Sequence, residues 1–205
     1  MEFIEGSDFS KLTKTNVFSN EQVIKWANQL CDAVEHLHTR KVPIIHSDIK
    51  PANLMLTSEK NVCLIDFNIS KVFDKDGTTT TQGTKKYAPP EQLFNGIIDE
   101  RSDIYSMGST LYNIVTGNAP QRVENGTLVQ ELHFPETVNR NLKRVIEKCM
   151  QKNPDNRYQT VAEMRQDLNM CFISDSPIKN SIGNSSTNIC NMGLATIQGD
   201  WIYYA

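Results

Sequence analysis

The segment Ser102–Thr116, SDIYSMGSTLYNIVT, is apolar on nearly every side when it is read at a helical period. A surface helix carries a polar stripe, whereas this pattern is typical of a helix that other elements surround. Gly117 follows directly and can end the helix in a left-handed conformation. We therefore predict a central buried helix, around which the rest of the chain must pack.

Three further segments have the apolar spacing of amphipathic helices. The segments are Ser19–His38, Leu142–Met150 and a stretch from Thr160 to about Cys171. At the start of the first segment, Ser19 and Gln22 have the spacing of a capping box, and at the start of the last segment Thr160 and Glu163 have the same spacing.

Two short apolar runs, Leu54–Thr57 and Val62–Ile65, are strand candidates, and the polar SEKN between them is typical of a hairpin turn. The segment Asp74–Lys86 has no periodic apolar signal, so we expect a loop, and its length is itself a hint of function. The predicted fold class is mainly α (α+β), with a small β-hairpin.

Composition narrows the class of protein. The chain has 205 residues and a net charge of −3, which argues against bulk nucleic-acid binding and against attraction to an anionic membrane surface. No apolar run is long enough to span a bilayer, and the start MEFIEGSDF lacks the features of a signal peptide. The five cysteines are dispersed without a CxxC pair, which argues against a disulfide framework or a zinc site. We predict a cytoplasmic protein of one domain or a large part of one.

The stretch Ile44–Ser70 places charged and amide side chains beside the two strand candidates. Asp48, Lys50 and Asn53 precede the first strand, and Asp66 follows the second. A hairpin therefore brings Asn53 and Asp66 to one end. Two oxygen ligands beside a carboxylate and an ammonium favour a magnesium-bound polyphosphate, although all four residues could instead be ordinary turn residues. The arrangement predicts phosphoryl transfer, which depends largely on positioning and electrostatics.

An ordered set of motifs from Met1 to about Phe172 resembles the eukaryotic-like protein kinases: HSDIKPAN, LIDFN, GTKKYAPPEQ, SDIYSMG and NPDNRYQT. Lys50, two residues after Asp48, resembles the Ser/Thr-specific branch, and APPEQ resembles bacterial members. The resemblance implies the C-terminal lobe of a kinase domain, whose hairpin bears the catalytic and metal loops. It also implies ATP and Mg²⁺ as cofactors and a protein as substrate.

The same resemblance implies roles for individual residues. Asp48 accepts or orients the proton of the substrate hydroxyl, and Lys50 steadies the transferring phosphate. Asn53 and Asp66 hold magnesium. Thr84 lies in the loop that receives the substrate and can link to Asp48 and Lys50.

The start MEFIEG resembles the kinase hinge, with Met1 in the gatekeeper place. Glu2 and Ile4 would then offer backbone groups to adenine. Met55 would form part of the adenine floor. These assignments rest on the resemblance alone.

Three residues match structural positions of the family. Glu91 and Arg157 match a buried ion pair, and Asp103 matches the residue that holds the backbone of the catalytic loop. Without the resemblance, Asp103 could be only an acid at a helix N-terminus, favoured by the dipole, and Arg157 a solvated arginine. We expect His46 to pack and to hydrogen-bond rather than to act as a base.

The sequence departs from the family pattern in three places. Ser47 replaces an arginine that normally pairs with a phosphate on the activation loop, so loop phosphorylation loses its usual receptor. The Thr78–Thr81 run is expected to be plain flexible loop rather than a phosphorylation site. Asn68 replaces a glycine, and Asn tolerates left-handed backbone better than other residues with a side chain. The chain begins at the hinge, without a Gly-rich loop or a strand lysine, so we expect the N-terminal lobe to be missing.

These observations predict three regions. Residues 1–173 form the hinge and C-terminal lobe, residues 174–194 a Ser/Asn-rich linker, and residues 195–205 the truncated start of a β-rich, propeller-like segment. The predicted function is that of a Ser/Thr protein kinase, competent only with an N-terminal lobe. The alternative is a non-catalytic kinase-like fragment that acts as a binding or regulatory module.

Overall fold

The structure is a computed structural model that describes residues 5–66, 84–94, 98–124 and 127–172. The chain divides into two units, Met1–Asp175 and Ser176–Ala205, and every described residue lies in the first. The first four residues of the predicted hinge, Asn68, the Thr78–Thr81 run and both C-terminal regions lie outside the described residues.

The described part of the chain forms six α-helices. Four of them were expected from the apolar pattern of the sequence, and each of these four begins with an N-cap side chain whose oxygen accepts from a backbone N–H of the first turn. The helices are α1 (Phe9–Thr15), α2 (Asn20–His38), α3 (Pro90–Phe94), α4 (Glu100–Thr116), α5 (Arg140–Cys149) and α6 (Val161–Met170).

Two small antiparallel sheets accompany the helices. Strands β1 (Gly6–Asp8), β2 (Leu54–Thr57) and β3 (Val62–Leu64) form one sheet in that order, and β2 pairs with β3 so that Leu54 lies opposite Leu64. Strands β4 (Gln121–Glu124) and β5 (Thr127–Gln130) form a separate hairpin between α4 and α5. The sequence predicted the β2–β3 hairpin but neither β1 nor the second hairpin.

Helix α4 is the centre of the domain, as its sequence predicted. Every residue from Ser102 to Ile114 is buried, and the helix packs against α2 and α5. Asp99 and Ser102 form a capping box at its start, and Gly117 ends it with a positive φ of 74°.

Helices α4 and α5 approach closely at Gly108. A Cβ atom at this position would lie 2.5 Å from the Cβ of Cys149 and 3.0 Å from the Cγ of Met150. Real Cβ atoms do not come this close to another atom, so only glycine fits here. The contact places α5 directly against α4, the helix that carries Asp103.

Helix α2 holds the β2–β3 hairpin in place. Its Ser19–Gln22 capping box is complete, as predicted. Trp26 packs edge-on against Phe9 and Phe18, and its indole Nε1 donates to the backbone oxygen of Lys60 in the hairpin turn at 3.3 Å. The aromatic cluster thereby fixes the strand pair whose ends carry the polar residues of the site.

Two local predictions need correction. The Thr160 side chain caps α6, but Glu163 accepts from the backbone N–H of Gln159 and not of Thr160, so the capping box is incomplete. The predicted loop Asp74–Lys86 ends in a short 3₁₀ turn at Thr84–Lys86, and residues 74–83 lie outside the described part.

None of the helices in the described ranges offers an apolar stretch of the length that a bilayer crossing requires.

Candidate active site

Asp103 of α4 holds the loop before β2 through hydrogen bonds to its backbone. This carboxylate is fully buried and accepts from the backbone N–H groups of His46 and Ser47, each at 2.8 Å, and from the Nε2 of His38 at 2.8 Å. Three donors satisfy the buried charge, which would otherwise be strongly destabilising. Asp103 therefore holds the loop backbone, as its position in the motif predicted.

Ser47 turns the loop through a left-handed conformation, with φ of 61°. This conformation is uncommon for a residue with a side chain and often occurs at functional sites. The Nε2 of Gln92 in α3 donates to the Ser47 backbone oxygen at 2.8 Å. Sequence reasoning missed Gln92, although it stands directly after the glutamate of the APPEQ motif.

Ser47 and Gln92 place uncharged side chains at this turn. The Ser47 hydroxyl and the Gln92 Oε1 are buried, and neither has a hydrogen-bond partner among the described residues. Ser47 carries no guanidinium, so position 47 itself offers none to a loop phosphate.

The structure brings Asp48, Lys50 and Asn53 together. The Lys50 Nζ lies 2.9 Å from the Asp48 Oδ2, and the Asn53 Nδ2 lies 3.2 Å from the same oxygen and 2.9 Å from the Asp48 backbone oxygen. Asp48 is 3% exposed and Asn53 5% exposed, whereas the Lys50 side chain keeps 21% of its surface in solvent. A buried carboxylate is thus held between an ammonium and an amide.

Asp66 lies at the same end of the β2–β3 hairpin as Asn53. The Ile65 backbone N–H donates to the Asn53 backbone oxygen at 2.9 Å, which ties the residue before Asp66 to Asn53. Asp66 is exposed and has a left-handed φ of 63°. The backbone thus joins Asn53 to the residue that precedes the other predicted magnesium ligand.

The oxygen donors at this end fit a magnesium ion. Among the described residues, no group of three or more His, Cys, Asp and Glu side chains is arranged around a metal position. Magnesium commonly takes only one or two protein oxygens and completes its shell with phosphate and water. Asn53 turns its amide nitrogen toward Asp48, which leaves its carbonyl oxygen for such a role.

His46 is buried beneath the loop, and its Nδ1 accepts from the Asp48 backbone N–H at 3.4 Å. Loss of solvent lowers the pKa of His46 below its ordinary value, and the negative charge of Asp103 opposes this shift. Its burial and this hydrogen bond match the expectation that His46 packs and hydrogen-bonds.

Glu91 and Arg157 form the expected ion pair. Arg157 Nη1 and Nη2 lie 2.7 and 2.8 Å from the two Glu91 oxygens, in a bidentate arrangement. The Arg157 side chain is 0% exposed and the Glu91 side chain 14% exposed. The pair joins the start of α3 to the loop before α6, so the buried-pair prediction is confirmed.

The remaining predicted site residues lie apart from this group or outside the described residues. Met55 is half-buried in β2, opposite Asp8 and Cys63. Thr84 opens the 3₁₀ turn, and its side chain is outside the described part. Glu2 and Ile4 are likewise not described.

Known proteins with similar sequences are kinases. The family model "Protein kinase domain" matches residues 1–170. Serine/threonine-protein kinase PknB of Mycolicibacterium smegmatis is 35% identical over 184 residues, covering 82% of this chain and 29% of that protein. A probable serine/threonine-protein kinase of Clostridium acetobutylicum is 32% identical over 215 aligned positions, covering 98% of this chain and 31% of that protein. The chain thus spans less than a third of the length of these curated relatives.

Solved structures agree on the fold. The crystal structure of the Mycobacterium tuberculosis PknI kinase domain matches with a TM-score of 0.65 at 23% identity, covering 83% of this chain and 64% of that one. At this identity the similarity speaks for the fold alone. Together with the family match over residues 1–170, it follows that this chain belongs to the protein kinase family.

Proposed function

We propose that this chain is the catalytic part of a Ser/Thr protein kinase, which transfers the γ-phosphate of ATP to a protein hydroxyl. One observation carries the proposal: the buried Asp48 carboxylate lies 2.9 Å from the Lys50 ammonium, at the hairpin end that also carries Asn53 and Asp66. A site with this composition can take a proton from a hydroxyl and balance phosphate charge within a few ångströms.

In the proposed reaction Asp48 accepts or orients the proton of the substrate hydroxyl. Asp103 holds the backbone of His46 and Ser47 just before it, and Asn53 donates to its side chain, so the carboxylate needs little reorganisation when the substrate arrives. Lys50 neutralises Asp48 in the described geometry, and its partly exposed ammonium can also contact the transferring phosphate.

Asn53 and Asp66 would hold magnesium, because both present oxygen atoms at one end of the hairpin. Magnesium supplies neutralisation of phosphate charge when it is bound. Glu2 and Ile4 would contact adenine through their backbones, with Met55 in the floor of the same pocket. Thr84 would link the substrate-receiving segment to Asp48. These roles rest on the match to the kinase motifs.

We further propose that residues 1–173 are the hinge and C-terminal lobe of the kinase domain. The sequence contains no G-x-G-x-x-G segment, and phosphoryl transfer requires the clamp that such a loop and a strand lysine provide. Residues 174–194 would be a linker, and residues 195–205 the start of a β-rich segment. The free thiols of the described cysteines, Cys31, Cys63, Cys149 and Cys171, support a cytoplasmic site of action.

The test compares the chain alone with the chain fused to the N-terminal lobe of a Ser/Thr kinase relative. We expect radiolabelled phosphate to reach a generic protein substrate only with the fusion, and Asp48→Asn to abolish that transfer. Robust, Asp48-dependent transfer by the chain alone would disprove the lobe assignment. A folded fusion that binds ATP without transferring phosphate would favour the non-catalytic alternative.

A further inference from the structure

One buried side-chain amide holds residues 84–88, which comprise the 3₁₀ turn and the two residues after it. Gln121, the first residue of β4, is 4% exposed. Its Nε2 donates to the backbone oxygen of Lys85 at 2.9 Å and to that of Ala88 at 2.6 Å. A single side chain therefore binds two carbonyl groups three residues apart, which defines the path of the main chain between them.

The orientation of this amide is determined by Tyr105 of α4. The fully buried Tyr105 hydroxyl donates to the Gln121 Oε1, so the nitrogen of the amide must face the two carbonyls. The reversed amide would place its oxygen against two other oxygens. Burial raises the pKa of Tyr105, so its hydroxyl keeps its proton and remains a donor.

A second glutamine provides an internal comparison. Gln130 of β5 is the register partner of Gln121, and its Oε1 lies 3.0 Å from the same Tyr105 hydroxyl, whose single proton is shared between the two amide oxygens. Its Nε2, however, donates to the Met150 backbone oxygen at 3.1 Å, at the end of α5. The two glutamines thus share one partner but hold different parts of the chain.

We propose that Gln121 is a positioning residue that sets the affinity for the protein substrate by fixing residues 84–88. The inference rests on the proposed function, in which this segment receives the substrate. The Glu91–Arg157 pair holds the chain immediately beyond it. Gln121 holds the segment itself, because its hydrogen bonds to the Lys85 and Ala88 backbone oxygens connect the segment to the β4–β5 hairpin.

The first experiment uses this chain as it is and needs no activity. Hydrogen–deuterium exchange is followed in a peptide that covers residues 84–94, for the wild type and for Gln121→Met, which keeps the side-chain size. We expect exchange at residues 84–88 to become roughly tenfold faster, because two hydrogen bonds to the segment are lost. Gln130→Met is the matched control and should leave this segment unchanged.

If Gln121→Met does not fold, Tyr105→Phe decides the same question. It removes only the hydroxyl that orients the amide and keeps the ring over which Arg157 lies, with a guanidinium carbon 4.8 Å from the ring centroid. We expect a smaller acceleration in the same peptide. Unchanged exchange in Tyr105→Phe, or equal effects of Gln121→Met and Gln130→Met, would overturn the inference.

The second experiment measures the consequence for the substrate in the fusion with an N-terminal lobe. We expect Gln121→Met to raise the KM for a peptide substrate about tenfold, when the whole free energy of the lost hydrogen bonds is expressed in substrate binding. The kcat and the KM for ATP should stay within about twofold of the wild type, and Gln130→Met should resemble the wild type throughout. A parallel loss of kcat and of affinity for ATP would show a merely structural role. A wild-type fusion without any transfer would refute the proposed function, while the exchange result would still decide whether Gln121 holds the segment.

Discussion

Replacing Glu91 by Gln tests the Glu91–Arg157 pair with the smallest change in shape. The substitution keeps the side-chain volume but replaces a carboxylate, which accepts from both Arg157 nitrogens at 2.7 and 2.8 Å, by an amide with one oxygen. One N–H group of a side chain that is 0% exposed then faces an amide nitrogen. Breaking a well-buried pair in this way typically costs about 3–5 kcal/mol.

The contacts that remain reduce this figure. Arg157 still donates to the backbone oxygens of Gln151, Arg101 and Lys152, at 2.7, 3.0 and 3.2 Å. The Glu91 side chain also retains 14% of its surface in solvent. The guanidinium is therefore not left without partners, and we expect a loss of about 2–3 kcal/mol in the free energy of unfolding.

The measurement is urea denaturation of this chain, with Asp155→Asn as the control. Asp155 lies 2.7 Å from Arg101 but is 77% exposed, so its removal should change stability by less than about 1 kcal/mol. For a domain of this size, the loss in Glu91→Gln corresponds to a fall of about 4–12 °C in Tm.

A Glu91→Gln variant whose stability falls within about 0.5 kcal/mol of the Asp155→Asn control would refute the reasoning. Arg157→Met and the double variant complete a mutant cycle. A coupling energy near zero in that cycle would show that the two side chains act independently, despite the short distances between them.

Further outcomes follow from the site. In the fusion with an N-terminal lobe, Asp48→Asn should lower the rate of transfer by ~10²–10⁴-fold with nearly unchanged ATP binding, measured by radiolabel transfer and by calorimetry; near-normal turnover would contradict the role of Asp48. Asp66→Asn should instead shift the magnesium dependence of the rate to higher concentrations. Asp103→Asn should reduce the unfolding free energy by about 2–4 kcal/mol in urea, because one amide oxygen replaces two carboxylate oxygens that serve three donors. Burial lowers the pKa of His46 from its ordinary 6.5, so the folded state takes up a proton less readily than the unfolded state. The free energy of unfolding should therefore not change above pH 6.5 on account of His46, and should fall as the pH drops from 6.5 through the lowered pKa. In urea titrations at several pH values, His46→Asn should flatten this decline. Alanine at all of Thr78–Thr81 should change the rate little, whereas a large loss rescued by acidic residues would reveal another phosphate receptor.

Much of the helical framework was predictable from the sequence because local signals and packing agree. The capping residues at Ser19 and Thr160 and the apolar faces behind them act within a few residues, so a reader of the sequence can find both ends of a helix. The candidate site residues likewise lie close to one hairpin in the sequence, where strand pairing brings Asn53 next to the residue before Asp66. The structure of these elements can be predicted because it depends little on residues distant in the sequence.

The parts that were missed depend on contacts distant in sequence. Gln92 and Gln121 are ordinary polar residues locally, and they gain their roles only because folding places backbone oxygens beside them. Strand β1 is three residues long and forms only because β2 lies alongside it. The β4–β5 hairpin, by contrast, did have a signal: Asn125 and Gly126 stand between two short runs, a dipeptide that favours tight hairpins.

The contact at Gly108 limits how this sequence can change. Replacing a helical glycine by alanine is a common route to higher stability, worth up to about 1 kcal/mol. Here the new methyl group would overlap the Cβ of Cys149 and crowd the Cγ of Met150, so the exchange is expected to be harmful unless Cys149 becomes glycine and the Met150 side chain shifts as well. The two positions should therefore covary among related sequences, with at most one of them carrying a side chain. If position 108 gained a side chain while position 149 became glycine, the spacing of α4 and α5 would stay the same.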